Sequence, residues 1–275
     1  MKLKGKIAII TGGSRGIGKA IARAFLAEGA LVTITGRNQD ELARAGEELS
    51  RVGAIRSFRA DIREEQEIRQ LVAEVLNTFG TIDVLVNNAG IQGPIGKFWE
   101  VDCEDWADNI KVNLLGTVRC TRSVVPIMIA KKAGKIINLS GGGAAASRPC
   151  FSAYGAGKAA LVRFTEILAE EVREYHIDVN ALAPGAVNTR MLHEILEAEA
   201  KAGEKELRDA RERSEKGGTS PELAAALAVF LASSASDGLS GRLISAVWDN
   251  WQQFSPDRIA SIMSGNLYTL RRVSQ

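Results

Sequence analysis

Short, almost wholly apolar runs alternate with longer amphipathic stretches along most of this chain, and that alternation limits it to one class of fold. Ile7-Ala8-Ile9-Ile10, Leu31 to Thr35, Ile55 to Arg59, Val84-Leu85-Val86, Lys135 to Leu139, Ile177 to Leu182 and Leu243 to Val247 read as strands. Helical spacing fills the intervals: Ile17 to Ala27 with a stop at Gly29, about Asp40 to Ser50, Glu64 to Phe79, about Asp105 to Lys132, Tyr154 to Glu174, and Pro221 to Ala232. Apolar strands separated by helices belong to a parallel sheet covered on both faces. With right-handed crossovers, the expected fold is α/β: a single doubly wound parallel sheet with helices on both sides.

No linker and no internal repeat interrupts the pattern, so residues 1–275 read as one domain. Two segments lie outside the alternation. Met191 to Gly218 is helix-forming and charged throughout, and Trp248 to Gln275 is a tail with two tryptophans and a late Tyr268-Thr269-Leu270-Arg271-Arg272.

A formal net charge of +2 argues against a surface built for nucleic acid or another polyanion. Cys103, Cys120 and Cys150 are widely spaced, with neither a metal-ligand nor a disulfide pattern, so a reducing compartment is expected and no metal. The opening residues run straight into a strand, with no signal peptide and no membrane-length apolar run, so the expectation is a cytoplasmic protein acting on a small molecule.

The first strand leads into Thr11-Gly12-Gly13-Ser14-Arg15-Gly16-Ile17-Gly18. Glycines there let the backbone turn sharply and approach a pyrophosphate, and the helix that follows offers free N–H groups to the anion. The residues that follow strand two bear on which dinucleotide binds. An acidic side chain there bonds a ribose 2′-hydroxyl; this chain has Gly36-Arg37, with Arg15 projecting toward the same region. Two guanidiniums without a carboxylate at that point favour a 2′-phosphate, hence NADP(H) over NAD(H). Asp40 is expected to be an N-terminal helix charge instead.

Ser152-Ala153-Tyr154-Gly155-Ala156-Gly157-Lys158 sets a phenol and an ammonium four residues apart, on one helix face. A cation beside a phenol favours the phenolate and lowers its pKa, which suits proton transfer near neutral pH.

These motifs, in this order, resemble the short-chain dehydrogenase/reductase family over roughly Lys4 to Val247, joined by Asn87-Asn88-Ala89-Gly90 after strand four, Asn113 in Lys-Val-Asn-Leu-Leu-Gly, and Pro184-Gly185 after strand six. The resemblance implies a Rossmann-like NAD(P)-binding domain. It also implies roles: Tyr154 as general acid/base, Lys158 tuning it and bonding the nicotinamide ribose, and Asn113 holding a water in a proton relay. Gly12, Ser14, Arg15, Gly16, Ile17 and Gly18 would hold the phosphates, Arg37 the 2′-phosphate, and Asp61 and Ile62 the adenine. Asn88, Ala89 and Gly90 would shape the cofactor floor, and Pro184, Gly185, Val187 and Thr189 would flank the nicotinamide.

The chain departs from the family pattern in three places. The family's substrate-orienting serine stands thirteen residues before the tyrosine, where this chain has Gly141; Ser140 is expected to take the role by a small shift, with Ser147 the less favoured substitute. The usual Asp-Gly-Gly after the last strand is replaced by Ala246-Val247-Trp248-Asp249-Asn250-Trp251, whose tryptophans either line an entrance or a subunit contact, or simply pack inside. The segment of about 188–218, the substrate lid in the family, is highly charged; that suggests a polar or anionic substrate, although a solvated helix explains the charges equally.

The expected function is therefore an NADP(H)-dependent oxidoreductase acting on a ketone or secondary alcohol. The alternatives are a 3-oxoacyl-ACP reductase, which calls for a basic patch to meet an acidic carrier, and a non-catalytic NADP-binding sensor or scaffold, for which Gly141 is the best support. The resemblance also implies a homodimer or homotetramer built on the two long helices near Asn113 and Tyr154, where Leu161, Phe164 and Leu168 supply apolar faces.

Overall fold

Seven strands hydrogen-bond in the order β3-β2-β1-β4-β5-β6-β7, every neighbouring pair parallel. They are β1 (Ile7–Thr11), β2 (Leu31–Gly36), β3 (Ile55–Arg59), β4 (Val84–Asn87), β5 (Gly134–Leu139), β6 (Ile177–Ala183) and β7 (Leu243–Ser245). The helices are α1 (Gly16–Ala27), α2 (Gln39–Ser50), α3 (Glu65–Phe79), α4 (Cys103–Ile110), α5 (Thr117–Lys131), α6 (Ser152–Glu171), α7 (Arg190–Ala198), α8 (Glu204–Lys216), α9 (Pro221–Ala232) and α10 (Pro256–Met263). This computed structural model describes residues 1–271.

The continuous apolar strands divide by their two-residue period. Ala8, Ile10, Val32, Ile34, Val84 and Val86 turn to one face, with Phe25 and Leu26 of α1 and the alanine-rich α9. Ile7, Ile9, Leu85 and Ile136 turn to the other, with Leu71 and Val75 of α3 and Val124 of α5. Full burial of each large aliphatic chain contributes about 1.5–3 kcal/mol, so both helical layers are held by the sheet. Because β1 sits between β2 and β4, strand order reverses there, and a crevice opens beyond the carboxyl ends of β1 and β4.

The long helix expected over about Asp105 to Lys132 is not continuous. A π-helical segment, Lys111–Gly116, joins α4 to α5 and carries Asn113; wide turns of this kind inside α-helices often mark functional positions. The expected last strand stops at Ser245. The Asp249 carboxylate takes the Ser245 N–H at 2.6 Å, and the Ser245 hydroxyl takes the N–H groups of Val247 and Trp248, so the chain turns before Val247. Periodicity alone leaves Leu161 and Leu168 open between a subunit face and the core; both are buried in the fold, while Phe164 is only partly buried.

The tail is built into the protein. Trp251 is buried, its ring 5.7 Å from that of Phe230; Phe254 lies 6.3 Å from Phe230, and Tyr268 5.8 Å from Phe254. Buried Arg242 donates to the carbonyls of Ile262 and Gly265 at 3.2 Å each, and Leu243 N donates to the Tyr268 carbonyl at 2.8 Å. Arg272 to Gln275 lie outside the described residues. No helix among the described residues is long and apolar enough to cross a membrane.

Candidate active site and nucleotide cleft

The crevice is a cleft of about 1700 Å³. Of the residues expected at a nucleotide, all but Gly18 line it, and so do Ser140, Tyr154 and Lys158; Asn113 stands behind its wall.

The glycine loop is stapled to the end of β4. Thr11 Oγ1 accepts the N–H groups of Asn88 and Ala89 at 3.0 Å each, and Asn88 Nδ2 donates to the carbonyls of Thr11 and Gly12 at 2.9 and 3.0 Å. Gly12 has a φ of +64°, and a Cβ there would lie 2.9 Å from Ala89 Cα. Gly18 serves the same closeness from inside: its Cβ would lie 2.4 Å from Gly12 O and from Asn88 Nδ2. The helix start above this floor is open. Arg15, the residue before α1, makes no side-chain cap, and the first turn holds no acidic residue. Uncapped N–H groups at the positive end of a helix form an anion receptor, so this end of the cleft fits a dinucleotide pyrophosphate.

No carboxylate follows β2 directly, as the sequence reads, but two from elsewhere in the chain stand near the arginines in space. Asn38 caps α2 by accepting from Glu41 N at 2.9 Å, which brings Glu41 into the cleft wall with its carboxylate 3.2 Å from Arg15 Nη1. Arg37 lies 3.9 Å from Asp61. Asp61 in turn accepts from Arg63 N at 2.9 Å and from Arg63 Nη2 at 2.7 Å. Burial alone would raise this carboxyl, but the Arg63 bonds override it and hold Asp61 below the usual carboxylate range.

Tyr154 and Lys158 sit one turn apart on α6, both buried. Lys158 Nζ donates to the Leu139 carbonyl at 2.6 Å and lies 5.6 Å from the Tyr154 ring centre. Burial pushes the ammonium down to about 8. It pushes the Tyr154 phenol up, against a downward pull from Arg148. The expected lowering of the phenol by its lysine is therefore overturned, because Leu192 and Ile195 of α7 pack with Phe151 over Tyr154 and remove it from water.

Asn113 is fully buried. It accepts from Ile91 N at 3.0 Å and donates to Ile91 O at 2.8 Å and Asn109 Oδ1 at 2.7 Å, so its amide fixes the loop after β4. Gly90 lets that loop in: a Cβ there would lie 2.7 Å from Asn113 Oδ1. The Ser140 hydroxyl ends β5, enclosed and without a hydrogen-bond partner. At Gly141 a Cβ would lie 2.2 Å from Tyr154 Oη.

The sequence reading missed Arg148 and Glu206. Arg148 Nε and Nη2 both bond the Glu206 carboxylate at 2.9 Å, tying the loop after β5 to α8. The signal was there: a lone arginine in a run of glycine, alanine, serine and proline. The charged segment of about 188–218 folds into α7 and α8, which wall the cleft with Arg190, Glu194, Asp209 and Arg213. Of the two tryptophans, Trp251 packs inside, whereas Trp248 is 84% exposed at the cleft rim.

The same order of parts appears in known proteins. The family model described as short chain dehydrogenase matches residues 6–200. The chain is 36% identical over 248 residues to a 3-oxoacyl-[acyl-carrier-protein] reductase of Thermotoga maritima, covering 89% of this chain and 97% of that one. It is 35% identical over 202 residues to an uncharacterized oxidoreductase of Bacillus subtilis, covering 74% of this chain and 76% of that protein. Among solved structures, a variant of actinorhodin polyketide ketoreductase with NADPH superposes with a TM-score of 0.82 at 30% identity, covering 88% of this chain and 95% of that one. An NAD+-bound xylitol dehydrogenase shares the fold, with a TM-score of 0.84 at 24% identity over 89% of this chain and 98% of that one. With the stapled glycine loop, the open helix start and the buried tyrosine–lysine pair all in one cleft, the chain belongs to the short-chain dehydrogenase family, oxidoreductases that work on a carbonyl or its alcohol with a nicotinamide dinucleotide.

Proposed function

We propose that the protein is an NADP(H)-dependent oxidoreductase that moves a hydride between the nicotinamide and a ketone or secondary alcohol, with Tyr154 as general acid/base. The observation that carries this reading is the pairing of Tyr154 with Lys158 in the cleft wall, shielded from water by α7. When bound, the reduced dinucleotide supplies the hydride; the chain's own residues bind, orient and move a proton. Burial keeps the phenol protonated at neutral pH, the state needed to give a proton to a carbonyl oxygen. Lys158, charged below about pH 8 and anchored on the Leu139 carbonyl, favours the phenolate left behind. Asn113 keeps the loop at Ile91 in place beside them. Ser140 lines the same cleft with its hydroxyl unpartnered among the described residues, and Tyr154 is the proposed proton donor.

Arg37 supports the choice of NADP(H). Its exposed guanidinium lies in the wall just past β2, and its fork geometry suits a phosphate. Fluorescence titration with NADPH and with NADH tests this: a preference of about tenfold or more for NADPH, about 1.4 kcal/mol, is expected. A preference for NADH overturns it. Loss of turnover in Tyr154→Phe, with NADPH binding unchanged, tests the proton donor.

A 3-oxoacyl thioester is the second reading, favoured by the near-complete coverage of the Thermotoga maritima reductase. A kcat/KM at least tenfold higher for acetoacetyl-ACP than for methyl acetoacetate selects it. Assembly as a homodimer or homotetramer fits the exposed Leu115 and Ile167 on the two long helical regions, and sedimentation velocity reads it directly. The free cysteines Cys103, Cys120 and Cys150 suit a reducing compartment such as the cytoplasm.

A further inference from the structure

Reduction of a carbonyl places charge on its oxygen, and a second hydrogen-bond donor beside the proton donor lowers that barrier. On the loop after β5 that lines the Tyr154 end of the cleft, the side-chain donors are Ser147 and Arg148. Positions 141–146 are all glycine or alanine. The Ser140 hydroxyl is enclosed, and Gln92 Nε2 is engaged with the Met191 carbonyl at 3.2 Å. A serine cannot be accommodated at 141 without moving Tyr154, since its Cβ would lie 2.2 Å from the phenol oxygen.

Arg148 is held differently. Its guanidinium lies 3.9 Å from the centre of the fully buried Phe151 ring and 5.8 Å from that of Tyr154. Glu206 takes Nε and Nη2 in a two-point bond at 2.9 Å each. That bond fixes the plane, and Nη1 has no acceptor among the described residues, on a residue that lines the cleft.

We propose that Arg148 Nη1 donates the second hydrogen bond to the substrate oxygen that Tyr154 protonates, with Glu206 of α8 as its positioning residue. The proposal rests on the reading of the protein as a carbonyl reductase. In the step, the carbonyl carbon gains the hydride of the reduced dinucleotide, the C=O π pair moves to oxygen, and the Tyr154 proton joins that oxygen. Arg148 keeps its proton throughout, since guanidinium does not deprotonate in proteins. Because Glu206 belongs to the lid, the donor is aimed only while the lid is seated.

The test uses methyl acetoacetate with NADPH, and acetoacetate as its anionic counterpart. Arg148→Met is expected to lower kcat for the ester on the order of 100-fold, the cost of one lost oxyanion donor, with KM within about threefold. Arg148→Lys, which keeps the charge without the fork, loses less, and Glu206→Gln lowers kcat about tenfold. A second readout needs no cofactor. Phenolate absorbance of the free enzyme, with Tyr154→Phe to assign the signal, moves to higher pH in Arg148→Met because a nearby cation has gone. Arg148→Met at wild-type kcat with an unmoved phenolate midpoint overturns the proposal. So does a 100-fold loss in Ser140→Ala beside a near-normal Arg148→Met. Loss confined to acetoacetate, with the ester untouched, assigns Arg148 to a carboxylate and overturns it as well. A wild-type enzyme that binds NADPH but reduces no ketone removes the parent reading and this one with it, an outcome distinct from the other three.

Discussion

The hydroxyl of Tyr154 occupies the space that a side chain at position 141 needs: a Cβ on Gly141 lies 2.2 Å from it. Glycine there is a condition for this placement of the phenol. Gly141→Ser, which restores the family's usual residue, is therefore expected to lower kcat by about 10- to 100-fold, since a displacement of about 1 Å at a reacting group costs that much. Gly141→Ala falls by a similar factor. Steady-state kinetics with NADPH and methyl acetoacetate measures both, and a gain in Gly141→Ser refutes the steric argument.

Lys158→Met separates stability from turnover. The fold holds this ammonium with burial pushing it down to about 8 from an ordinary 10.5. Between those values the unfolded chain keeps a proton that the native state has shed, so the lysine's contribution to stability rises with pH across that window and is flat below it. Removing the charge relieves its burial but strands the Leu139 carbonyl, a partial offset. The variant is expected to be more stable than wild type by about 1–2 kcal/mol at pH 7 and to lose turnover. Urea unfolding of both proteins from pH 7 to pH 10 shows the difference shrinking as pH rises.

Both arginines proposed to meet a 2′-phosphate stand near carboxylates. Glu41→Gln releases Arg15 from its 3.2 Å ion pair and is expected to tighten NADPH binding about threefold, leaving NADH unchanged. Arg37→Met weakens NADPH about tenfold, with NADH again unchanged. Isothermal titration of each variant with both nucleotides measures the pattern, and equal losses for the two nucleotides speak against a 2′-phosphate contact.

Arg242 is a load point for the tail. Its guanidinium serves the carbonyls of Ser240, Gly241, Ile262 and Gly265. Arg242→Met strands these acceptors and is expected to lower stability by about 2–4 kcal/mol, each buried unsatisfied group costing about 1–3. Urea unfolding monitored by tryptophan fluorescence reads it, with Trp251 as the reporter beside Phe230.

The sheet was legible because apolar runs of strand length recur between amphipathic helices, and β3 and α9 match their sequence limits residue for residue. The cleft residues were legible because glycines, Asn88, Pro184 and the Tyr154–Lys158 pair carry their spacing in the chain. What was not legible depends on partners distant in sequence. Arg148 gains its meaning from Glu206, 58 residues on. The direction of the Tyr154 shift follows from Leu192 and Ile195 closing over it, which no local spacing announces. The break in the long helix at Lys111–Gly116 leaves no mark in its hydrophobic period. Asp249 stops β7 early through a single carboxylate bond that a reading of strand propensity passes over.

The anchoring of Tyr268, Phe254 and Trp251 on the Phe230 side of the sheet has a bearing on how the protein is made. During synthesis, at about 5–20 residues per second, the layer formed by α1 and α9 leaves the ribosome before its cover does. For a few seconds the nascent chain shows an oily face that Trp251, Phe254 and Tyr268 later cover. A chain cut before Trp251 is expected to keep that face bare and to aggregate more readily than the full chain.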